Sequence, residues 1–405
     1  MKKFNKFLSV AVASAMVMAM VGCGNTDNGS AATGTNAATE SAAASDSAAS
    51  GSVFKIGGIG PTTGGAAVYG LAVQHGAEIA VEEINAAGGI NGYQVEFKFQ
   101  DDEADAEKSV NAYNALKDWG AQIIDGSTTS GACIAVTDKT KEDNMFQITP
   151  SGSAVECVQY DNNFRVCFSN PNQGLASAQY IGENGLAEKI AVIYDSSDVY
   201  SSGIYEKFAK EAENQPFEIV AAEAFTADNK TDFSVQLQKA KDAGADMVFL
   251  PIYYQESALI LTQAAAMGYA PKWFSCDGMD GILGGVDNFD VSLTEGVMLL
   301  TPFAADATDD LTQSFVTKYK EKYGDTPNQF AADSYDAIYV IKAAIEKSGV
   351  TPDMSVSDIC DGMKAAMTEI TVDGLTGNGM TWTADGEANK APKAVVIENG
   401  AYKAM

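Results

Sequence analysis

The feature that most constrains this chain is an alternation, restarted once, between short apolar runs and helix-length segments. Runs at 53–60, 94–100, 121–124 and 144–148 have the length and composition of strands. Helical patterns at 66–87, 105–119 and 132–141 separate them. The first of these places Ala77, Ala80, Val81 and Ile84 on one face and stops at Gly88-Gly89. Such alternation builds a parallel sheet with helices on both faces, because a parallel crossover needs a helix and an amphipathic helix needs a sheet to cover. A second series then starts with its own buried run at 189–194 and continues at 217–223, 246–250 and 272–275. Its helices are expected at 173–185, 202–213, 231–243 and 255–267. A series with its own first strand reads as a second, similar α/β lobe. One more strand is expected at 295–300, helices at 309–323, 329–347 and 356–367, and short strands near 380–383 and 393–398. These last helices have too few strands for a third domain, so they are expected to complete the first lobe.

A chain of 405 residues is long enough for two such lobes plus extras. Its formal net charge of −28 excludes nucleic acid as a partner, since phosphates demand a basic surface. Residues 1–22 read as a secretion signal. Lys2, Lys3 and Lys6 precede an apolar stretch at 7–21 that is too short to span a bilayer comfortably. It ends at Met20-Val21-Gly22-Cys23-Gly24, which resembles a bacterial lipobox and makes Cys23 the lipidated residue. Residues 24–52 contain no apolar side chain larger than alanine and read as a flexible tether. Five further cysteines remain: Cys133, Cys157, Cys167, Cys276 and Cys360. Cys157 and Cys167 flank a polar turn at 160–163, and a hairpin disulfide between them is an open expectation.

Catalytic signatures are missing. The run Gly58-Ile59-Gly60-Pro61 has the wrong glycine spacing and a proline where a cofactor-binding helix should open. No P-loop and no G-x-S-x-G elbow occur, and His75 is the single histidine. One histidine supports neither a nucleophilic triad nor a zinc site, and it sits in a helical run as a surface or packing residue. The reading is therefore not an enzyme, with no cofactor and no metal.

What recurs is a set of polar and aromatic loops at strand ends, where doubly wound sheets bind ligands. Asp125 to Ala132 is a strand-to-helix turn rich in hydroxyls and bare of charge after Asp125. On its own it is as readily a helix cap as an anion site. Ser151 and Ser153 follow the next strand, and Asp277 follows a strand of the second series. Hydroxyls and amides on one lobe facing a carboxylate on the other suit a small zwitterion. The ligand carboxylate would meet Ser130 and Ser153, and its ammonium Asp277.

The folded part, about 53–400, resembles the periplasmic leucine/isoleucine/valine-binding proteins, the solute receptors of branched-chain amino acid ABC importers. The residues that carry the resemblance are Ile59 to Pro61 with Tyr69-Gly70, Ala86 to Gly92, Asp101-Asp102, Asp125 to Ser130, Ile148 to Ser151 and Phe164 to Val166. The resemblance implies a type I periplasmic-binding-protein fold. It implies that Ser130 holds the ligand carboxylate and that Ser153 touches both carboxylate and ammonium. It further implies that Ser151 lends a carbonyl, that Tyr69, Tyr200 and Tyr253 line the cleft, that Asp277 takes the ammonium and that Phe330 walls the side-chain pocket. The family's best-known disulfide has no first cysteine here.

The expected organisation is a signal peptide (1–22), a tether (23–52), and a first lobe of 53–170 and 304–385. The second lobe comprises 171–303 and 386–405. Hinge crossovers are expected near 169–171, 302–303 and 385–390. The expected protein is a lipid-anchored monomer on the outer face of the cytoplasmic membrane, handing an amino acid to an ABC permease. A sensor of the same fold, signalling to a membrane receptor, is the alternative.

Overall fold

The computed structural model describes residues 51–405. The signal segment 1–22, Cys23 and the tether up to residue 50 lie outside the described residues. Two sheets organise the rest. The first takes β1 (Phe54–Gly60), β2 (Val95–Asp101), β3 (Ile123–Asp125), β4 (Phe146–Thr149) and β5 (Asn163–Arg165) in the order β2-β1-β3-β4-β5, all parallel. Helices α1 (Ala67–Ala86), α2 (Ala106–Trp119) and α3 (Ser130–Asp143) connect them. The neighbours Ile123 and Ile124 show why helices must cover both faces. Successive strand residues point oppositely, and both are fully buried. Ile123 packs with α1 residues such as Val73 and Ile84, whereas Ile124 packs with Tyr113 and Leu116 of α2.

Helix α4 (Asn170–Glu183) leads to the second sheet. Its strands are β6 (Lys189–Asp195), β7 (Glu218–Phe225), β8 (Met247–Leu250), β9 (Lys272–Ser275) and β10 (Met298–Thr301), with α5 (Val199–Ala212), α6 (Ser234–Asp242) and α7 (Tyr254–Ala266) between them. The chain then returns to the first sheet as α8 (Asp310–Tyr323), α9 (Gln329–Ser348) and α10 (Val356–Met367). Helix α9 lies against α1 so closely that a Cβ on Gly76 would stand 2.0 Å from the Ala331 carbonyl oxygen. Finally β11 (Lys393–Glu398) adds antiparallel to β10 and β12 (Ala401–Ala404) antiparallel to β11, which gives the order β12-β11-β10-β9-β8-β6-β7. The third crossing between the sheets is pinned where the buried Lys390 Nζ meets Asp333 of α9 at 2.7 Å.

Sequence reading missed β5 and β12. Asn163, Phe164 and Arg165 carry no apolar alternation, and the segment becomes a strand because β4 offers it an edge. The strand expected near 380–383 is reduced to isolated bridges, Val372 to Met380 and Trp382 to Ala388. The Trp382 indole N–H donates to the Arg165 carbonyl at 2.8 Å, so this stretch is held by side chains. The Cys157–Cys167 disulfide is also corrected, for both thiols are free and buried. Cys157 lies in a short 3-10 turn, Val155–Val158, and β5 runs parallel to β4 rather than back along that turn. No hairpin therefore brings the two thiols together.

Candidate functional site

The carboxyl ends of both sheets converge on one tight cavity with about 10 Å³ of free room, about that of a single water molecule. Its lining comes from Tyr69, Thr128, Thr129, Ser130, Ser151 and Phe330 on the first lobe and Tyr200, Tyr253, Asp277 and Gly278 on the second. Seven of the eight residues expected from sequence are thus brought together. The eighth, Ser153, is fully buried beside them, with its Oγ 3.4 Å from that of Ser130.

The first-lobe wall follows from the β3–α3 turn. Ser130 opens α3, so the helix dipole and free N–H groups point at the cavity. Its Oγ accepts from the N–H groups of Ser153 and Ala154, both at 3.2 Å. Ser151 donates to the Thr128 carbonyl at 2.6 Å. Ser127 pairs with Ser109, and Thr128 donates to the Ile59 carbonyl, so these two hydroxyls brace the turn. Thr129 differs, for its buried Oγ1 has no protein partner although the residue lines the cavity. The sequence places Thr129 and Gly278 in strand-end loops but assigns neither a ligand contact, and it does not mark Thr128 as a lining residue. The hydroxyl density of the turn was the available signal.

The second-lobe wall is charged. Tyr200 donates to one oxygen of Asp277 at 2.6 Å and Gln173 to the other at 2.9 Å. Burial pushes the Asp277 carboxyl up to about 7, and the Asp333 charge adds to that, while the bonds from Tyr200 and Gln173 oppose it. The Tyr200 hydroxyl also accepts from the Gly278 N–H at 2.8 Å, and a Cβ on Gly278 would stand 2.6 Å from that hydroxyl. Aromatic rings close the sides. Tyr69 lies 4.4 Å from Phe330 and 5.4 Å from Tyr253, and Tyr200 stacks on Tyr253 at 5.0 Å, centroid to centroid.

The two lobes are shut upon each other. Tyr69 of the first donates to the Gly278 carbonyl of the second and accepts from the Tyr254 N–H. Gln329 at the start of α9 donates its side-chain amide to the Asp277 carbonyl and its backbone N–H to Asp280, both at 2.9 Å. His75 stands apart from the site and stacks on Tyr323 at 3.6 Å. The geometry presents neutral hydroxyls and a helix N-terminus to one end of a small molecule and a carboxylate to the other.

A family model described as periplasmic binding protein matches residues 53–401. Leu/Ile/Val-binding protein homolog 3 of Brucella melitensis is 30% identical over 300 residues, which cover 74% of this chain and 80% of the relative. The leucine-, isoleucine-, valine-, threonine- and alanine-binding protein of Pseudomonas aeruginosa is 30% identical over 73% of this chain and 78% of its own length. Among solved structures, the branched-chain amino acid transporter substrate binding protein LivJ of Streptococcus pneumoniae, in complex with isoleucine, superposes with a TM-score of 0.78. It is 28% identical, and the match covers 87% of this chain and 98% of that one.

Proposed function

The chain belongs to the periplasmic binding protein family, among the branched-chain amino acid binding proteins, and from that premise we propose that it captures a small amino acid between its lobes and delivers it to an ABC importer. It is a solute-binding protein of an extracytoplasmic family and not an enzyme. The observation that carries the reading is the opposed polarity of the cavity. Ser130 and the N-terminus of α3 stand on one side of a single tight compartment and Asp277 on the other. In this reading the ligand carboxylate takes the Ser130 hydroxyl and the nearby amides, with Ser153 beside Ser130, and the Ser151 carbonyl accepts from the ammonium. The ammonium takes Asp277, and Tyr69, Tyr200, Tyr253 and Phe330 wall the side chain.

Binding starts on one lobe, and closure supplies the other wall. The lobes are proposed as 53–170 with 304–385 and 171–303 with 386–405, pivoting at the three crossovers. Tyr69 and Gln329 latch the closed form, and a membrane permease reads that closure. Lipidation at Cys23 and the tether would keep a monomer at the outer face of the membrane. Mass spectrometry of small molecules released from the purified protein tests the proposal, together with calorimetry against the twenty amino acids. A bound amino acid is the expected result; binding of none of them would sink it.

A further inference from the structure

The two segments joined by Ser130 also carry a pair of thiols. Cys133 lies three residues past Ser130 in α3, and Cys157 lies in the 3-10 turn Val155–Val158 that follows Ser153 and Ala154. Both are fully buried and free, and they pack in one small cluster with Ala154. Cys157 Sγ donates to the Ser130 carbonyl at 3.6 Å, and Cys133 Sγ accepts from the Gln147 side-chain amide at 3.6 Å. Their surroundings make them unequal. Burial raises the Cys133 thiol, but the Cys157 thiol, Thr149 and the Arg165 guanidinium outweigh it and hold Cys133 below the usual thiol range. Burial and the neighbouring Cys133 push Cys157 well above that range. A thiolate-prone sulfur packed beside a second thiol is the arrangement in which a sulfenic acid can condense to a disulfide before it oxidises further.

We propose that Cys133 and Cys157 form a redox pair that closes to a disulfide on reaction with a small peroxide, stapling the start of α3 to the 153–158 segment beneath the ligand cavity. The Cys133 sulfur attacks one oxygen of hydrogen peroxide, the O–O bond breaks, and the departing hydroxide takes a proton to leave as water. The Cys157 sulfur then attacks the sulfenic sulfur, the S–O bond breaks, and the second oxygen leaves as water while the S–S bond forms. Two thiols are oxidised and one peroxide is reduced to two waters. Both sulfurs are shut away from solvent, so an oxidant little larger than water suits the site better than a bulky disulfide. The inference is independent of which ligand the cavity holds.

The test is peptide mapping of the whole protein before and after hydrogen peroxide, with alkylation under denaturing conditions and no reductant. Tryptic cleavage places Cys133, Cys157 and Cys167 on separate peptides, 118–139, 142–165 and 166–189. The expected product links the first two, is lighter than their sum by two hydrogens, and disappears on reduction. It should be absent from Cys133→Ser and Cys157→Ser and retained in Cys167→Ser. Recovery of both peptides as alkylated thiols overturns the proposal, as does a link to 166–189 or a sulfinic acid at Cys133 without a link. The staple should also raise the thermal midpoint of the oxidised protein by a few degrees. An unchanged or lower midpoint would remove the stapling.

Discussion

Each lobe buries a carboxylate at the end of a strand, and the two have opposite fates. Asp125 ends β3 in the first lobe, and Asp277 follows β9 in the second. Burial is the leading cause that pushes both up to about 7. Asp125 accepts from Ser334 at 2.9 Å, has one oxygen without a partner, and does not line the cavity. Asp277 has both oxygens bonded and lines it. A raised carboxyl is thus no sign of a binding site by itself, since desolvation alone produces it. Orientation separates a carboxylate that can meet an ammonium from one that merely costs free energy to charge. The two walls differ in the same way. The first lobe offers a preset neutral surface, and the second offers a charge whose value depends on pH.

Four experiments can break that contrast. The largest effect is expected for Asp277→Ala. Calorimetry with whichever amino acid binds best should show about a hundredfold loss, because removing one partner of a buried charged pair strands the other. The loss should be much smaller for a ligand analogue lacking the ammonium, and equal losses would take away the assigned role. Ser130→Ala should follow with about a tenfold loss, the worth of one hydrogen bond to a charged group. It should also lower the thermal midpoint, because the Ser153 and Ala154 N–H groups lose their acceptor.

The pH effect is smaller. Asp277 must be ionised to attract an ammonium, and its ligand-free value is about 7. Below that value a proton must be released on binding, so affinity should fall by about fourfold from pH 8 to pH 6.5. Asp277→Asn should flatten this profile, and a persistent slope would place the titrating group elsewhere. The smallest binding effect is expected for Asp125→Asn, with affinity unchanged within about twofold. Its effect belongs to stability. The folded value of Asp125 lies above the unfolded one, so its favourable term is present below about pH 4 and is lost as pH rises to about 7. The variant should therefore gain thermal midpoint relative to the parent between pH 5 and pH 8. A difference independent of pH would show that Asp125 stays ionised throughout.

Much of this was legible before any coordinates. Helix α10 was expected at 356–367 and strand β9 at 272–275, and both are found there. The alternating run of β2 and the glycine stop after α1 are local signals with local causes. Where the chain lacked such a signal, as at β5, the strand depended on an edge supplied by distant residues. The same division runs through the site. The Ser and Thr content of the β3–α3 turn marked Ser130 as a candidate, whereas Thr129 and Thr128 could not be sorted without knowing which hydroxyls the fold consumes. Ser153 was expected at the ligand, and the structure sets its hydroxyl 3.4 Å from that of Ser130, a neighbourhood that no spacing encodes. Cys157 was paired by proximity in sequence with Cys167, while packing sets it beside Cys133.

The sequence by itself determined the α/β alternation, the two-lobed plan, the acidic character that excludes nucleic acid, and the residue types available at the strand ends. Those follow from local periodicity, turn chemistry and charge, which short stretches of chain carry whole. Only the tertiary structure decided which hydroxyls brace the β3–α3 turn and which face the cavity, which of two buried carboxylates is aimed at it, and which thiols are neighbours. Those are questions of orientation between segments far apart in sequence, and packing answers them, because each buried polar group must find its partner across elements that no local pattern brings together.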